Sequence, residues 1–181
     1  MKLNHIPTKT ILAALAVAAI PVAALAVPGS SPAPQTVAAT SCPSGWGSLP
    51  EANARMVQSP VVGVRTGRHA CFDRLVVDLQ GRSPGYDVRY VGTVTQDGSG
   101  FPVPLRGGAK LQIVVRAPSN RPLKAPDVRG YDTFRQVAYA GSFEGQTTIG
   151  VGVRARLPFR VSTVTGPGAN TRLVVDVAHH W

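Results

Sequence analysis

Residues 146–161 read QTTIGVGVRARLPFRV, and their side chains alternate with a period of two. Thr147, Ile149, Val151, Val153, Ala155, Leu157, Phe159 and Val161 fall on one face. Gln146, Thr148, Gly150, Gly152, Arg154, Arg156 and Arg160 fall on the other. Successive side chains of a strand point to opposite faces, so this tract is a half-buried strand and not a helix. A strand usually runs for about 5–6 residues. The greater length here predicts a bend near Gly150 and Gly152 or a break at Pro158.

The rest of the chain after Cys42 repeats that pattern in shorter pieces. Residues 110–116 alternate, with Leu111, Ile113 and Val115 on one side. Further strands are expected at 60–65, 72–79, 86–95, 135–142 and 171–178. Between them stand turn signals, at residues 82–85 (RSPG), 97–100 (DGSG) and 166–168 (GPG). Residues 118–126 (PSNRPLKAP) hold three prolines and predict an irregular loop. One helical turn is expected at residues 48–56, where Ser48 and Glu51 have the spacing of a capping box. Short strands, few helices and closely spaced turns predict an all-β fold, an antiparallel β-sandwich of about 7–9 strands.

The pentapeptide RLVVD occurs at 74–78 and again at 172–176. In each copy the Arg, the first Val and the Asp point one way, and the Leu and second Val point inward, continued by Leu79 and Val177. Both copies therefore read as scaffold. A sandwich of two similar halves would hold one copy in each. If instead the copies pair antiparallel with Val76 opposite Val174, Arg74 faces Asp176 and Asp78 faces Arg172. Each such cross-strand pair is worth roughly 0.2–1 kcal/mol.

The N-terminus obeys different rules. Lys2 and Lys9 precede ILAALAVAAIPVAALAV at 11–27, which carries no charge. A basic start, an apolar run and the small residues Ala24 and Ala26 predict a secretory signal over 1–27. The same 17 apolar residues, interrupted by Pro21, fall short of the roughly 20 of a comfortable membrane span. Retention as an anchor is the alternative, and membrane contact is expected only in that case. Residues 28–41 (PGSSPAPQTVAATS) have no charge and no aromatic ring, and predict a linker. Residues 42–181 remain for one folded domain.

Export frames the two cysteines. Cys42 and Cys71 predict a disulfide closing a 29-residue separation. A metal site drawing on His69, Cys71, His179 and His180 is the rival, but His69 and Cys71 lack a zinc-ligand spacing, so no metal is expected. Without Lys2 and Lys9 the chain keeps 17 basic residues against nine acidic ones, a net +8, and 15 of the basic residues are arginine. Outside a cell such a surface favours anionic polymers. Basic runs with interleaved aromatic platforms are lacking, so nucleic acid is not an expected partner.

Motifs of hydrolytic chemistry (G-x-S-x-G, H-E-x-x-H, S-x-x-K) do not occur, and neither enzyme nor cofactor is expected. The nearest catalytic constellation is Asp176 with His179 or His180, which an exposed chain end explains as well. The candidate ligand-binding residues are Arg154, Arg156 and Arg160, on one face with Gly150 and Gly152, whose missing side chains would leave backbone open to an extended polymer. A solvated outer face is the alternative. Tyr86 and Tyr90 share a strand face and read as a stacking platform or as a core edge.

Several stretches together carry a family resemblance: CPSGWGS at 42–48, RTGRHACFDRLVVD at 65–78, PGYDVRYV at 84–91, DGSG at 97–100, GSFEGQTTIGVGVRARLPFRV at 141–161 and RLVVDVAH at 172–179. In this order they resemble the AMIN-like domain proteins exported by actinobacteria. The resemblance implies a β-sandwich related to the AMIN domain, a non-catalytic module that targets peptidoglycan in wall amidases and envelope proteins. It implies a protein that binds peptidoglycan or an associated anionic wall polymer, outside the cell or on its wall. The alternatives are a scaffold recruiting an envelope enzyme and a secreted hydrolase.

Overall fold

The computed structural model describes residues 41–181. The expected signal at 1–27 and all but the last residue of the expected linker at 28–41 lie outside the described residues. The strands are β1 (Glu51–Asn53), β2 (Val61–Arg68), β3 (Phe72–Gln80), β4 (Tyr86–Val91), β5 (Val94–Thr95), β6 (Pro102–Val103), β7 (Ala109–Val115), β8 (Phe134–Phe143), β9 (Gln146–Val153), β10 (Phe159–Thr165) and β11 (Asn170–Ala178). All pair antiparallel: β1-β4-β7-β9-β8 in one sheet, β10-β11-β3-β2 in a second, and β5-β6 as a small ribbon. No helix occurs among the described residues. The expected turns and the irregular loop at 118–126 stand where the punctuation put them.

Two inner faces close on one core. Leu75, Val77 and Leu79 of β3 and Leu173, Val175 and Val177 of β11 meet Leu111, Ile113, Val115, Ile149, Val151 and Val153 from the larger sheet. At about 25 cal/mol per Å² of apolar surface removed from water, this cluster is the main driving force for folding. The long alternating tract serves both sheets. Its strand breaks after Val153 and resumes at Phe159, crossing from one sheet to the other, yet Leu157 and Phe159 are still core. The break falls at Pro158 and the four residues before it, and β9 runs unbroken through Gly150 and Gly152.

The two RLVVD copies lie side by side in one sheet, not one in each half. Val174 stands opposite Val76, Asp176 opposite Arg74 and Arg172 opposite Asp78. One of the two charge pairs forms: Arg74 grips Asp176 through two hydrogen bonds of 2.6 and 2.9 Å. The other does not. Asp78 accepts from Arg65 of β2 at 2.9 and 3.2 Å, and Arg172 donates to the Gly166 carbonyl. A carboxylate in a central strand has neighbours on both sides, and here the bidentate partner comes from the outer one.

The expected helical turn is instead β1, pairing Glu51 with Val88 and Asn53 with Tyr86. Pairing with β4 overrides a local capping pattern, and the Glu51 carboxylate accepts from the Val161 amide of β10 rather than capping a helix. The expected disulfide joins Cys42 to Cys71 with Cα atoms 5.3 Å apart, pinning the start of the domain to the β2–β3 turn.

Candidate functional site

The arginines singled out from the alternating tract do leave the core, but they do not form one open face. Arg154 donates to the His179 carbonyl at 2.5 Å. Arg156 donates to the Ser48 side chain and carbonyl at 3.1 and 2.9 Å and stands 5.2 Å from the Tyr90 ring centre. Arg160 binds the buried Asp176 at 2.9 Å and lies 4.5 Å over the Trp46 ring. Arg154 and Arg156 sit in the crossing between sheets and Arg160 on the outside of the smaller sheet, so each closes a seam.

Gly150 and Gly152 do not leave backbone open. A Cβ on Gly150 would meet Leu105 and Val94, and one on Gly152 would collide with the Arg106 carbonyl oxygen. Residues 94–106, with the β5–β6 ribbon, lie across β9 here, and both glycines are buried. The glycines admit a covering segment rather than a polymer.

Tyr90 is a core edge. Its hydroxyl donates to the Leu157 carbonyl at 2.8 Å and accepts from the Leu157 amide at 3.0 Å. Burial pushes its pKa up, and the hydrogen bond and Arg156 work against that rise. Tyr86, on the same strand, is half-buried against the same core. Neither offers an open ring for stacking.

The chain end differs from an exposed tail. His179 is buried, and its ring nitrogen lies 3.3 Å from Asp73 and 3.9 Å from Asp132, whereas His180 is exposed. Asp176 does not meet either histidine; it is held by Arg74 and Arg160. The constellation proposed for a hydrolase is therefore not assembled. Asp73 has structural work instead: it accepts from the amides of Thr133 and Phe134 at 2.7 and 2.9 Å, tying the smaller sheet to the start of β8.

The strongest unspent charge lies at the end away from the disulfide. Arg55 and Arg82 line a cleft of about 590 Å³ with Met56, Gln58, Ser59 and Gln80, and no acidic side chain shares that lining. The same two arginines line an adjoining cleft of about 410 Å³ against Thr165, Asn170 and Thr171. Beside it, Arg65 and Arg172 flank a third of about 270 Å³, with Asp78 as its acid. Neither Arg55 nor Arg82 makes an ion pair among the described residues, and both are exposed.

Short connections hold this end rigid. The Arg82 amide donates to the Ser59 hydroxyl at 2.8 Å, and the Thr171 hydroxyl donates to the Gly81 carbonyl at 2.5 Å, so the turn after β3 is gripped from both sides. Gly81 has φ +123°, and a Cβ there would strike the Ser59 side chain. The Arg55 carbonyl accepts from the Gly85 amide at 2.7 Å. Two free guanidinium forks on fixed backbone suit an anion with several oxygens, such as a phosphate or carboxylate. These arginines escaped the sequence reading because they stand 27 residues apart and share no strand; only the fold juxtaposes them.

A family model described as the AMIN-like domain matches residues 59–179, about two thirds of the chain. The match includes both RLVVD strands and Arg82, and ends before Trp181. No curated protein and no solved structure matches the chain.

Proposed function

Because the chain belongs to the AMIN-like domain family, we propose that it is a non-catalytic, exported envelope protein that binds peptidoglycan or an associated anionic wall polymer. The family supports a peptidoglycan-related envelope role, and the disulfide agrees with an extracytoplasmic location. The observation that carries the reading is the acid-free cleft under Arg55 and Arg82. Apart from Arg116, every other arginine bonds an oxygen of the chain through its side chain, whereas Arg55 and Arg82 have no side-chain partner among the described residues and stand exposed beside the amide side chains of Gln58 and Gln80. A polymer bearing carboxylates or phosphates along its length would engage the three adjoining clefts in turn.

Co-sedimentation with purified sacculi tests this. The protein should be retained at about 0.15 M salt and released as salt rises toward about 1 M, where the screening length shrinks from about 8 to 3 Å. No retention above that of an unrelated β-sandwich protein of similar charge would refute the reading.

A second reading, recruitment of an envelope enzyme, draws on Phe101 and Phe143, which are 67% and 52% exposed. Cross-linking in cells that yields protein adducts without wall retention would favour it.

A further inference from the structure

The chain has two tryptophans, 135 positions apart, and the fold brings both to one groove at the disulfide end. We infer that this groove is a stacking site for an uncharged saccharide ring, separate from the basic end. Trp46, Trp181, Pro43 and Pro158 supply its apolar lining, and Ser44 and His180 its polar groups. Its volume of about 190 Å³ accommodates one ring rather than a large ligand.

Three features select the ligand class. First, no Lys, Arg, Asp or Glu lines the groove, in a chain carrying 17 basic residues past its apolar start. The lining offers a charged ligand no counter-charge, and Arg160, which lies over Trp46, is already paired with Asp176. Second, Trp181 is 77% exposed, yet its ring is anchored, because its Nε1–H donates to the Arg156 carbonyl at 3.1 Å. Third, Trp46 is likewise fixed, between Arg160 and a Phe72 ring 5.6 Å away. An aromatic face ordered in advance binds with little further loss of side-chain freedom. A sugar ring presents an apolar C–H face to such a surface and hydroxyls at its edge to Ser44 and His180.

Both walls of the groove are anchored. The disulfide fixes the segment carrying Trp46, while the His179 amide donates to the Cys71 carbonyl at 2.9 Å and Arg154 holds the His179 carbonyl. Arg154, Arg156 and Arg160 thus support the groove from behind instead of touching a ligand. Five of the six lining residues named above, all but Pro158, lie outside the span that the family model matches. Only the choice of an amino sugar as probe rests on the wall reading.

Intrinsic tryptophan fluorescence of the full-length protein, titrated with an uncharged N-acetylglucosamine tetramer, reports on this groove alone. The expected result is a saturable change with a millimolar midpoint. It should weaken at least about tenfold in Trp181→Ala, read through Trp46, and persist in Trp181→Phe and in Arg55→Ala/Arg82→Ala. Trp181 is exposed, so its removal leaves the core intact. No saturable change up to about 10 mM sugar, an undiminished response in Trp181→Ala, or saturation by a proline-rich peptide instead would overturn the inference. Sacculus retention through Arg55 and Arg82 is read separately, so either proposal can fail without the other.

Discussion

Asp176 is 1% exposed and holds two arginines from opposite sides, Arg74 at 2.6 Å and Arg160 at 2.9 Å. Its hydrogen bond is the main reason the Arg74 pKa is raised. Removing that carboxylate leaves two guanidiniums facing each other over a buried site. Asp176→Ala should cost about 2 kcal/mol in urea unfolding, the scale for losing hydrogen bonds to a charged group, since Arg74 and Arg160 remain part-exposed. Arg172→Ala, at the other end of the same strand pair, should cost less than about 1 kcal/mol, because it loses a single bond to the Gly166 carbonyl. Asp97 makes the opposite case. Burial raises its pKa above the ordinary 3.8, against the opposing bond from Thr148. A carboxyl with a raised native pKa favours the fold while protonated and penalises it once ionised. Asp97→Asn should therefore leave stability unchanged at low pH, below the ordinary carboxyl range, and raise the melting temperature above it. A gain that shrinks as pH rises would contradict that sign.

At the scale of elements, the alternation in residues 147–161 carried most of the information. All eight residues assigned inward face the core, although the tract changes sheets partway. Core chemistry has period two whichever sheet receives it, so the pattern was legible while the crossing was not. The RLVVD register was legible for the same reason. The charge pairing was half legible, because a sequence does not say which of two flanking strands supplies the nearer arginine. The stretch after Ser48 misled because a capping box is a local signal, and Glu51 is used by β4 and β10, tens of residues away. The covalent element gives a prediction too. Cys42→Ser/Cys71→Ser should lose roughly 3–4 kcal/mol, given the 29-residue separation closed by the bond. The same variant should loosen the segment bearing Trp46, which a red shift of tryptophan emission would report.

For the whole molecule, the net +8 beyond the apolar start was plain from composition, but its distribution was not. Arginines adjacent in sequence (154, 156 and 160) are spent on Asp176, Ser48 and the His179 carbonyl. Arg55 and Arg82, distant in sequence, meet at one end with no acid in their cleft. Proximity along a chain therefore gave a poor guide to a binding face, because arginines beside a strand crossing are the ones that seams recruit. On the proposed function, this end, rather than net charge alone, holds the wall polymer. Co-sedimentation with sacculi at about 0.15 M salt tests it most directly, comparing Arg55→Ala/Arg82→Ala with Arg106→Ala/Arg129→Ala, which removes the same charge from exposed positions elsewhere. The first pair should lose retention and the second keep it; equal retention in the two, or equal loss, would contradict the proposal.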